Sequence, residues 1–242
     1  WDLSSLKFVF SSGVMWSAEN KAGILRHCNQ VTIIDSLGSS EAVGMASSTT
    51  SADAKSDTAH FKLSDNTRVL TEDGREVVPG SGERGRVAIK GYTPVGYYKD
   101  EEKSAKTFMM INGVRYSIPG DWAEVELDGT VKLLGRGSQC INTGGEKVYP
   151  EEVEETLKRH ADVEDVAVVG IPHERFGESI VALVQPRTGS TPQVDDLIGH
   201  TKESLAAYKA PRSILFVESV NRAPNGKLDY RALKDLALSR LS

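Results

Sequence analysis

The chain has few of the residues on which cross-linked and metal-centred proteins depend. Its 242 residues include only two cysteines, Cys28 and Cys140, and five histidines. The cysteines lack the spacing of metal ligands, and the histidines have no catalytic partner at a useful spacing. The composition therefore predicts free thiols in a reducing, cytoplasmic environment, and it argues against a metal cluster and a Ser/His/Asp catalytic arrangement.

An excess of basic charge and a long apolar run are also missing. Lysine and arginine number 29 against 34 aspartates and glutamates, so the formal net charge is −5. This balance argues against a nucleic-acid-binding surface, which needs clustered basic side chains. No apolar run approaches the roughly 20 residues that span a bilayer, and no signal peptide is visible. Because the chain does not begin with methionine, we expect it to be part of a longer protein.

The first forty residues have the pattern of α/β layering. Residues 8–10 form a short apolar strand, and Ser17 is placed to cap a helix that runs to about His27. Residues 31–34 are β-branched or apolar throughout, as in a parallel strand buried on both faces. The Ser- and Thr-rich residues 47–58 are interpreted as a loop.

From about residue 62 to residue 135 the pattern is that of β-structure. Residues 68–71 and 85–90 are strand-like. The segments 122–127 and 130–134 flank Asp128-Gly129, which is a strong signal for a β-hairpin. We expect this block to form a small antiparallel sheet or barrel.

After residue 135 helices and strands alternate in a separate α+β unit, with the boundary near 136–138. Pro150 opens a helix with acidic residues in its first turn and Lys158-Arg159 at its end, as the helix dipole favours. Further strands are expected at 166–170, 179–184 and 214–217, and further helices at 194–205 and 230–241. The predicted fold class is therefore a multidomain chain: the end of an α/β domain with an antiparallel β-subdomain, then a small α+β domain.

Four polar, glycine-containing segments are the candidates for chemistry. Taken singly, each has an ordinary structural interpretation: a loop with a helix cap, a turn, a hairpin, and a turn with a solvated lysine. Their functional interpretation is binding of phosphate, ribose and Mg²⁺, with a positive charge at the reacting group. The segments are 35–41, 116–121, 135–150 and 224–227.

The order of these segments resembles the superfamily of adenylate-forming enzymes, which includes acyl-CoA synthetases. Leu37-Gly38-Ser39-Ser40-Glu41 is similar to the family's Tyr-Gly-x-Thr-Glu, and the resemblance covers essentially the whole chain. Tyr116–Asp121 resembles the family's Tyr-x-Thr-Gly-Asp, and residues 96–100 resemble its Gly-Tyr-Tyr segment. Residues 135–154 resemble the long motif that begins with Gly-Arg-x-Asp. Residues 205–211 resemble Leu-Pro-x-Tyr-x-x-Pro, and residues 224–231 resemble the closing Gly-Lys motif.

The resemblance implies roles for individual residues in activating a carboxylic acid with ATP and Mg²⁺. Lys227 would stabilise charge as the carboxylate attacks the α-phosphate, and Glu41 would coordinate Mg²⁺. The nucleotide contacts that it implies are Gly13 in the adenine loop, Asp35 at the adenine amino group, Leu37 on the adenine face, Gly38 and Ser40 at the phosphates, Asp121 at the ribose, and Arg136 nearby.

The resemblance also implies a second half-reaction with coenzyme A. Residues 138–242 would rotate as a lid about a hinge at Ser138 on the preceding domain, residues 1–137, whose β-subdomain covers about 62–135. Gly144 and Gly145 would line the passage for the pantetheine arm. Ser138 replaces the usual Asp or Lys, Leu37 an aromatic residue, Pro119 a Thr and Asn142 a frequent Lys.

The resemblance implies a small-molecule carboxylic acid substrate, here a fatty or steroid side-chain acid. The phosphate loop of the family's N-terminal half is not in the chain, so we expect this chain alone to be inactive. Two alternatives stay open: an adenylation domain that loads a carrier protein, and a non-catalytic fragment that binds nucleotide. The sequence leaves the oligomeric state open.

Overall fold

The computed structural model describes residues 1–241 and divides into two compact units, residues 1–134 and a second unit that begins at Gly135. The division lies a few residues before the predicted hinge. The predicted second domain, 138–242, ends at Ser242, which lies outside the described residues. That the second unit moves as a lid stays a prediction.

The first unit is built on one long, mostly antiparallel sheet. Within the described residues it has two helices, α1 Ala18–His27 and α2 Glu101–Thr107. Its strands there are β1 Phe8–Ser12, β2 Thr32–Ser39, β3 Ala42–Thr50, β4 His60–Leu63, β5 Thr67–Leu70, β6 Arg84–Lys90, β7 Phe108–Ile111, β8 Val114–Ser117, β9 Asp121–Val125 and β10 Val131–Arg136. The order of the strands in the sheet is β1-β2-β3-β4-β10-β9-β6-β8-β7, with β5 paired to β6.

The start of this unit confirms the predicted layering. Strands β1 and β2 are parallel, and Ser17 caps α1 by accepting a hydrogen bond from the main-chain N–H of Asn20 at 3.2 Å. The α1 helix covers the strand at Ile33, which is fully buried. The hairpin at Asp128-Gly129 is confirmed as well: Gly129 has φ +82°, and β9 and β10 are neighbours in the sheet.

Two loop predictions in this unit are wrong. Residues 35–39 continue β2, and residues 47–50 belong to β3, so 35–41 and 47–58 are not loops throughout. The two strands pair antiparallel, with Asp35 opposite Ser48. Ser48 and Thr50 are buried in the sheet, and the ladder overrides the turn preference of Ser and Thr.

Of the two forms predicted for the β-block, an antiparallel sheet or a barrel, the structure has the sheet, and this sheet is not separate. Strand β4 pairs with β3 on one side and with β10 on the other. The antiparallel strands therefore continue the sheet that β1 and β2 begin.

The second unit has a sheet covered by helices on both faces. Its described strands are β11 Ile141–Thr143, β12 Glu146–Val148, β13 Val163–His173, β14 Gly177–Pro186 and β15 Ser213–Phe216, and its helices are α3 Pro150–Lys158, α4 Val194–Ser204 and α5 Tyr230–Leu241. The expected strands and helices of this unit are confirmed, and β13 and β14 are longer than predicted.

The core of the second unit follows the alternation of β13 and β14. Val166 and Val168 face α3 and α4, where Leu157 is fully buried. Ala167 and Val169 face α5 on the other side of the sheet. Because both faces are covered, these strands are continuous apolar runs in the sequence. The predicted combination of α/β and α+β architecture is confirmed.

Candidate functional site

Three of the sequence-predicted segments meet at Glu41 in the first unit. The hydroxyl of Tyr97 donates a hydrogen bond to Glu41 Oε1 at 2.6 Å. The hydroxyl of Ser117 donates to the main-chain carbonyl of Glu41, also at 2.6 Å. The carboxylate and the backbone of Glu41 are therefore held by two other segments, 96–100 and 116–121.

The surroundings of Glu41 keep its carboxylate charged. The hydrogen bond from Tyr97 holds the pKa of Glu41 below its usual range, and the charge of Lys103 adds to this effect against partial burial. Lys103 Nζ lies over the Tyr97 ring, 3.9 Å from its centroid. An ionised, half-exposed carboxylate at this place is a suitable ligand for a hard cation.

The donor set at Glu41 fits Mg²⁺ better than a metal bound by protein alone. Within residues 1–241 no group of three or more His, Cys, Asp and Glu side chains is placed to hold a metal ion. Mg²⁺ commonly takes one or two protein carboxylates and fills its other positions with water and substrate phosphates. Glu41 beside the exposed Ser40 matches that pattern.

Asp35 is engaged inside the first unit. Its Oδ2 lies 3.2 Å from Lys21 Nζ, and the two side chains are only 4% and 1% exposed. Burial raises the pKa of the Asp35 carboxyl, while the charge and hydrogen bond of Lys21 oppose the rise. The pair joins α1 to β2, and this partner of Asp35 was not predicted from the sequence.

The glycines and leucine predicted near the nucleotide lie in ordinary strand and turn positions. Leu37 is half-buried in β2 and packs against the sheet core. A Cβ at Gly38 would come within 3.1 Å of the Ala42 carbonyl oxygen, a tight contact that disfavours a side chain in the β2–β3 connection. Gly13 follows β1 with φ +91° and has open space around it.

Asp121 starts β9 and is buried. The preceding Gly120 has φ +106°, a conformation that favours glycine, with no atom within 4 Å of the place a Cβ would take. The Pro119-Gly120 turn therefore connects Ser117, which binds Glu41, to Asp121 at the start of β9.

In the second unit, Gly144 and Gly145 form the two-residue turn between β11 and β12. Both have positive φ, +62° and +87°, as a type I′ hairpin requires. The turn is exposed, and the Gly144 N–H donates to the carbonyl of Phe176 at 2.9 Å.

A basic and aromatic cluster surrounds Phe176 beside this turn. The guanidinium of Arg212 lies 3.8 Å from the Phe176 ring centroid and that of Arg175 lies 5.3 Å from it. The His173 ring is 4.8 Å away, centroid to centroid. Sequence reasoning missed this cluster, although the spacing of His173, Arg175 and Phe176 in one segment is a visible signal of it.

Lys227 is exposed on a short, closed turn. Its N–H donates to Asn225 Oδ1 at 3.2 Å, and its carbonyl accepts from the Ala223 N–H at 2.9 Å. The Gly226 N–H also donates to the Ala223 carbonyl at 2.8 Å. In the described part of the chain the Lys227 ammonium makes no ion pair, so the backbone is held while the charge stays available.

The predicted hinge lies at the start of the second unit. Ser138 is exposed in the 3₁₀ turn Gly137–Gln139, directly after Arg136 at the end of β10. Asn142, in β11, is exposed, and its N–H donates to Glu178 Oε2 at 2.9 Å. No helix in the described 241 residues is long and apolar enough to span a bilayer.

The second unit is similar to a known protein family. Residues 152–227, which include Lys227 and most of the core of the second unit, match the family model of the AMP-binding enzyme C-terminal domain. The matched region covers most of the second unit. The Lys227 turn lies at the end of that domain's matched region.

Curated relatives are similar to this chain over the first unit as well as the second. The medium/long-chain-fatty-acid–CoA/3-oxocholest-4-en-26-oate–CoA ligase of Mycolicibacterium smegmatis is 49% identical over 242 residues, which are 99% of this chain and 44% of the relative. The 3-oxocholest-4-en-26-oate–CoA ligase of Rhodococcus rhodochrous is 47% identical over 239 residues, 97% of this chain and 42% of the relative. The chain thus spans less than half the length of these relatives.

Solved structures give the same result for the fold. The anthranilate CoA ligase AuaEII in complex with anthranoyl-AMP superimposes with a TM-score of 0.83 at 27% identity, covering 100% of this chain and 46% of that one. ATP-bound MatB from Rhodopseudomonas palustris gives 0.80 at 25% identity, covering 96% and 46%. The resemblance to adenylate-forming enzymes, and to acyl-CoA ligases among them, is confirmed.

Proposed function

We propose that this chain contributes the metal carboxylate, the catalytic lysine and the lid of an ATP-dependent acyl-CoA ligase. The carboxylate of the acid would attack the α-phosphorus of ATP to give acyl-AMP and pyrophosphate. The thiolate of coenzyme A would then attack the acyl carbon and release AMP. The observation that carries the proposal is Lys227, an exposed ammonium on a hydrogen-bonded turn inside an AMP-binding enzyme C-terminal domain.

The first unit would bind the nucleotide. Glu41, kept ionised by Tyr97, would hold Mg²⁺, which would neutralise phosphate charge when bound. The other contacts follow the resemblance: Gly13, Asp35, Leu37 and Gly38 around adenine and the phosphates, Ser40 at a phosphate, Asp121 at the ribose and Arg136 nearby.

Lys227 would act during adenylation only. Transfer to a phosphorus asks the protein mainly for positioning and for charge stabilisation in the transition state. A compact ammonium on a fixed backbone can supply both. Removing one such donor typically lowers the rate by about 100- to 1,000-fold.

The hairpin of Gly144 and Gly145 would serve the thioester step. An exposed two-glycine turn leaves room for a slender chain such as pantetheine. The neighbouring cluster of Phe176, Arg175 and Arg212 offers an aromatic face and positive charge, which suit the nucleotide end of coenzyme A. Rotation about Ser138 would exchange the two faces of the lid between steps.

A fatty acid or a steroid side-chain acid is the substrate class we propose. The activities named for the relatives from Mycolicibacterium and Rhodococcus support it, because both act on a steroid acid and one also on fatty acids. We place the enzyme in the cytoplasm, in lipid metabolism, in keeping with its two free cysteines.

The test uses the complete reading frame that encodes this chain, together with the 242-residue chain alone. Pyrophosphate release is measured with ATP, Mg²⁺ and a panel of short, long and steroid acids. Acyl-CoA formation from synthetic acyl-AMP and coenzyme A is measured separately. Lys227→Ala is compared with Lys202→Ala, which removes an exposed lysine of α4 in the same unit.

We expect Lys227→Ala to lower pyrophosphate release by about 100- to 1,000-fold. The same variant should form acyl-CoA from acyl-AMP within about threefold of the unaltered enzyme, and Lys202→Ala should behave normally in both assays. Adenylation without transfer to free coenzyme A would favour a carrier-protein adenylation domain. Absence of pyrophosphate release with every acid, despite ATP binding, would favour a non-catalytic nucleotide-binding protein.

A further inference from the structure

One side chain, Arg222, fastens the Lys227 turn to strand β13. Its Nε and Nη2 donate to the two carboxylate oxygens of Asp165 at 2.6 and 3.0 Å. Nη2 also donates to the Val166 carbonyl at 3.3 Å, and Nη1 donates to the Gly226 carbonyl at 3.0 Å. A single guanidinium therefore joins a carboxylate and a carbonyl of β13 to the peptide next to Lys227.

The strand side of this connection lies in the sheet of the second unit. Asp165 is on β13 and pairs with Gln185 of β14, and Lys158 Nζ lies 3.5 Å from Asp165 Oδ1. The Arg222 and Asp165 side chains are mostly buried, at 26% and 19% exposure. A forked guanidinium can meet both carboxylate oxygens and still donate from Nη1, whereas a lysine ammonium cannot reproduce that geometry.

At the turn, Arg222 binds the peptide group that joins Gly226 to Lys227. The Gly226 carbonyl that Arg222 binds belongs to the same planar peptide as the Lys227 N–H. That N–H is bound by Asn225, and the next peptide is bound through the Lys227 carbonyl and Ala223. Both peptide planes around Lys227 are thus fixed, which sets the direction in which its side chain leaves the backbone.

We propose that Arg222 is a positioning residue for Lys227. Through the Gly226 peptide it would direct the lysine ammonium toward the charge that develops as the acid's carboxylate attacks the α-phosphate. The inference rests on the proposed function, since it concerns the same lysine. The nearby ion pair of Arg187 and Glu164 provides a contrast. Its atoms are 3.6 Å apart, both side chains are 52% exposed, and among the described residues neither side chain makes a hydrogen bond or ion pair with the Lys227 turn.

The experiment separates the two half-reactions in the complete reading frame. Arg222→Gln, Lys227→Ala and the double variant are assayed for acid-dependent pyrophosphate release, and for acyl-CoA formation from synthetic acyl-AMP. Arg187→Gln is the matched control. If Arg222→Gln does not fold, Arg222→Lys and Asp165→Asn are assayed in its place.

We expect Arg222→Gln to lower pyrophosphate release by about 10- to 100-fold, since small misplacement of a catalytic group has effects of this size. Acyl-CoA formation from acyl-AMP should stay within about threefold. The double variant should be no slower than Lys227→Ala, because a residue that acts through another is not additive with it. Arg222→Lys should recover part of the loss, and Arg187→Gln should change neither rate.

A second readout does not depend on activity. In the 242-residue chain, Arg222→Gln should speed hydrogen exchange at the Gly226 and Lys227 amides by about tenfold or more, with the amides of β14 unchanged. Exchange that rises equally throughout the unit would indicate a general stabilising role and would overturn the proposal.

The kinetic outcomes distinguish the two proposals. Equal loss in both half-reactions, or normal adenylation by Arg222→Gln while Lys227→Ala is inactive, would overturn the positioning role alone. Normal adenylation by Lys227→Ala would refute the proposed function, and the positioning role with it.

Discussion

Replacing Lys21 with methionine tests how strongly the buried ion pair supports the first unit. The Lys21 and Asp35 side chains are 1% and 4% exposed and 3.2 Å apart, so the substitution leaves a carboxylate in the interior without its cation. Breaking a buried pair in this way costs about 3–5 kcal/mol. We expect the free energy of opening of β2 to fall by about that amount at pH 7.

The loss should depend on pH, and its sign follows from the pKa of Asp35. Burial already raises this pKa, and Lys21 opposes the rise, so Lys21→Met should raise it further. The folded variant then binds a proton more tightly than the unfolded chain, whose carboxyl pKa is about 3.9. The loss relative to the unaltered chain should therefore be largest near pH 7 and smaller toward pH 4.

Native-state hydrogen exchange of the β2 amides at pH 5 and pH 7 measures the effect. Lys55→Met, at an exposed lysine of the same unit, should change the opening free energy by less than about 0.5 kcal/mol. The double variant Lys21→Met/Asp35→Leu should recover most of the loss, because no charge remains buried. An equal loss at both pH values, or a double variant as weak as the single, would refute the reasoning.

Single contacts give three further predictions. Tyr97→Phe removes the hydrogen bond to Glu41, so the pKa of Glu41 should rise toward its ordinary value, as carboxyl ¹³C NMR titration would show. Leu157→Ala empties a fully buried site and should lower the opening free energy of β13 by about 2–5 kcal/mol in hydrogen exchange. Burial raises the pKa of Glu154, so Glu154→Gln should be more stable than the unaltered chain at neutral pH and should lose that gain toward pH 4. A difference in unfolding free energy that does not change with pH would contradict this.

Local signals were sufficient for much of the second unit. The α3 helix has proline in its first turn, acidic residues there and Lys158 at its end, and the structure begins and ends it at Pro150 and Lys158. These preferences act over three or four residues, so the sequence displays them directly. The Asp128-Gly129 hairpin was predictable for the same reason.

Pairing between distant residues explains the two wrong loops. Residues 47–50 are rich in Ser and Thr, which are typical of turns, but β2 offers them a hydrogen-bonded partner strand. The energy of that ladder depends on the neighbouring strand, which no local pattern reveals. The same limit explains why the sequence left open whether the antiparallel block forms a sheet or a barrel.

Residue type and spacing were enough to select candidate segments for the chemistry. The order of the motifs predicted Glu41, Asp121 and Lys227 and the family resemblance, because these are properties of the chain itself. How the residues are held depends instead on the folded molecule, in which Tyr97 binds Glu41, Lys21 pairs with Asp35, and Arg222 binds the peptide beside Lys227. Tyr97 and Glu41 are 56 residues apart and Arg222 and Asp165 are 57 apart, so their contacts arise only when the sheets bring the segments together.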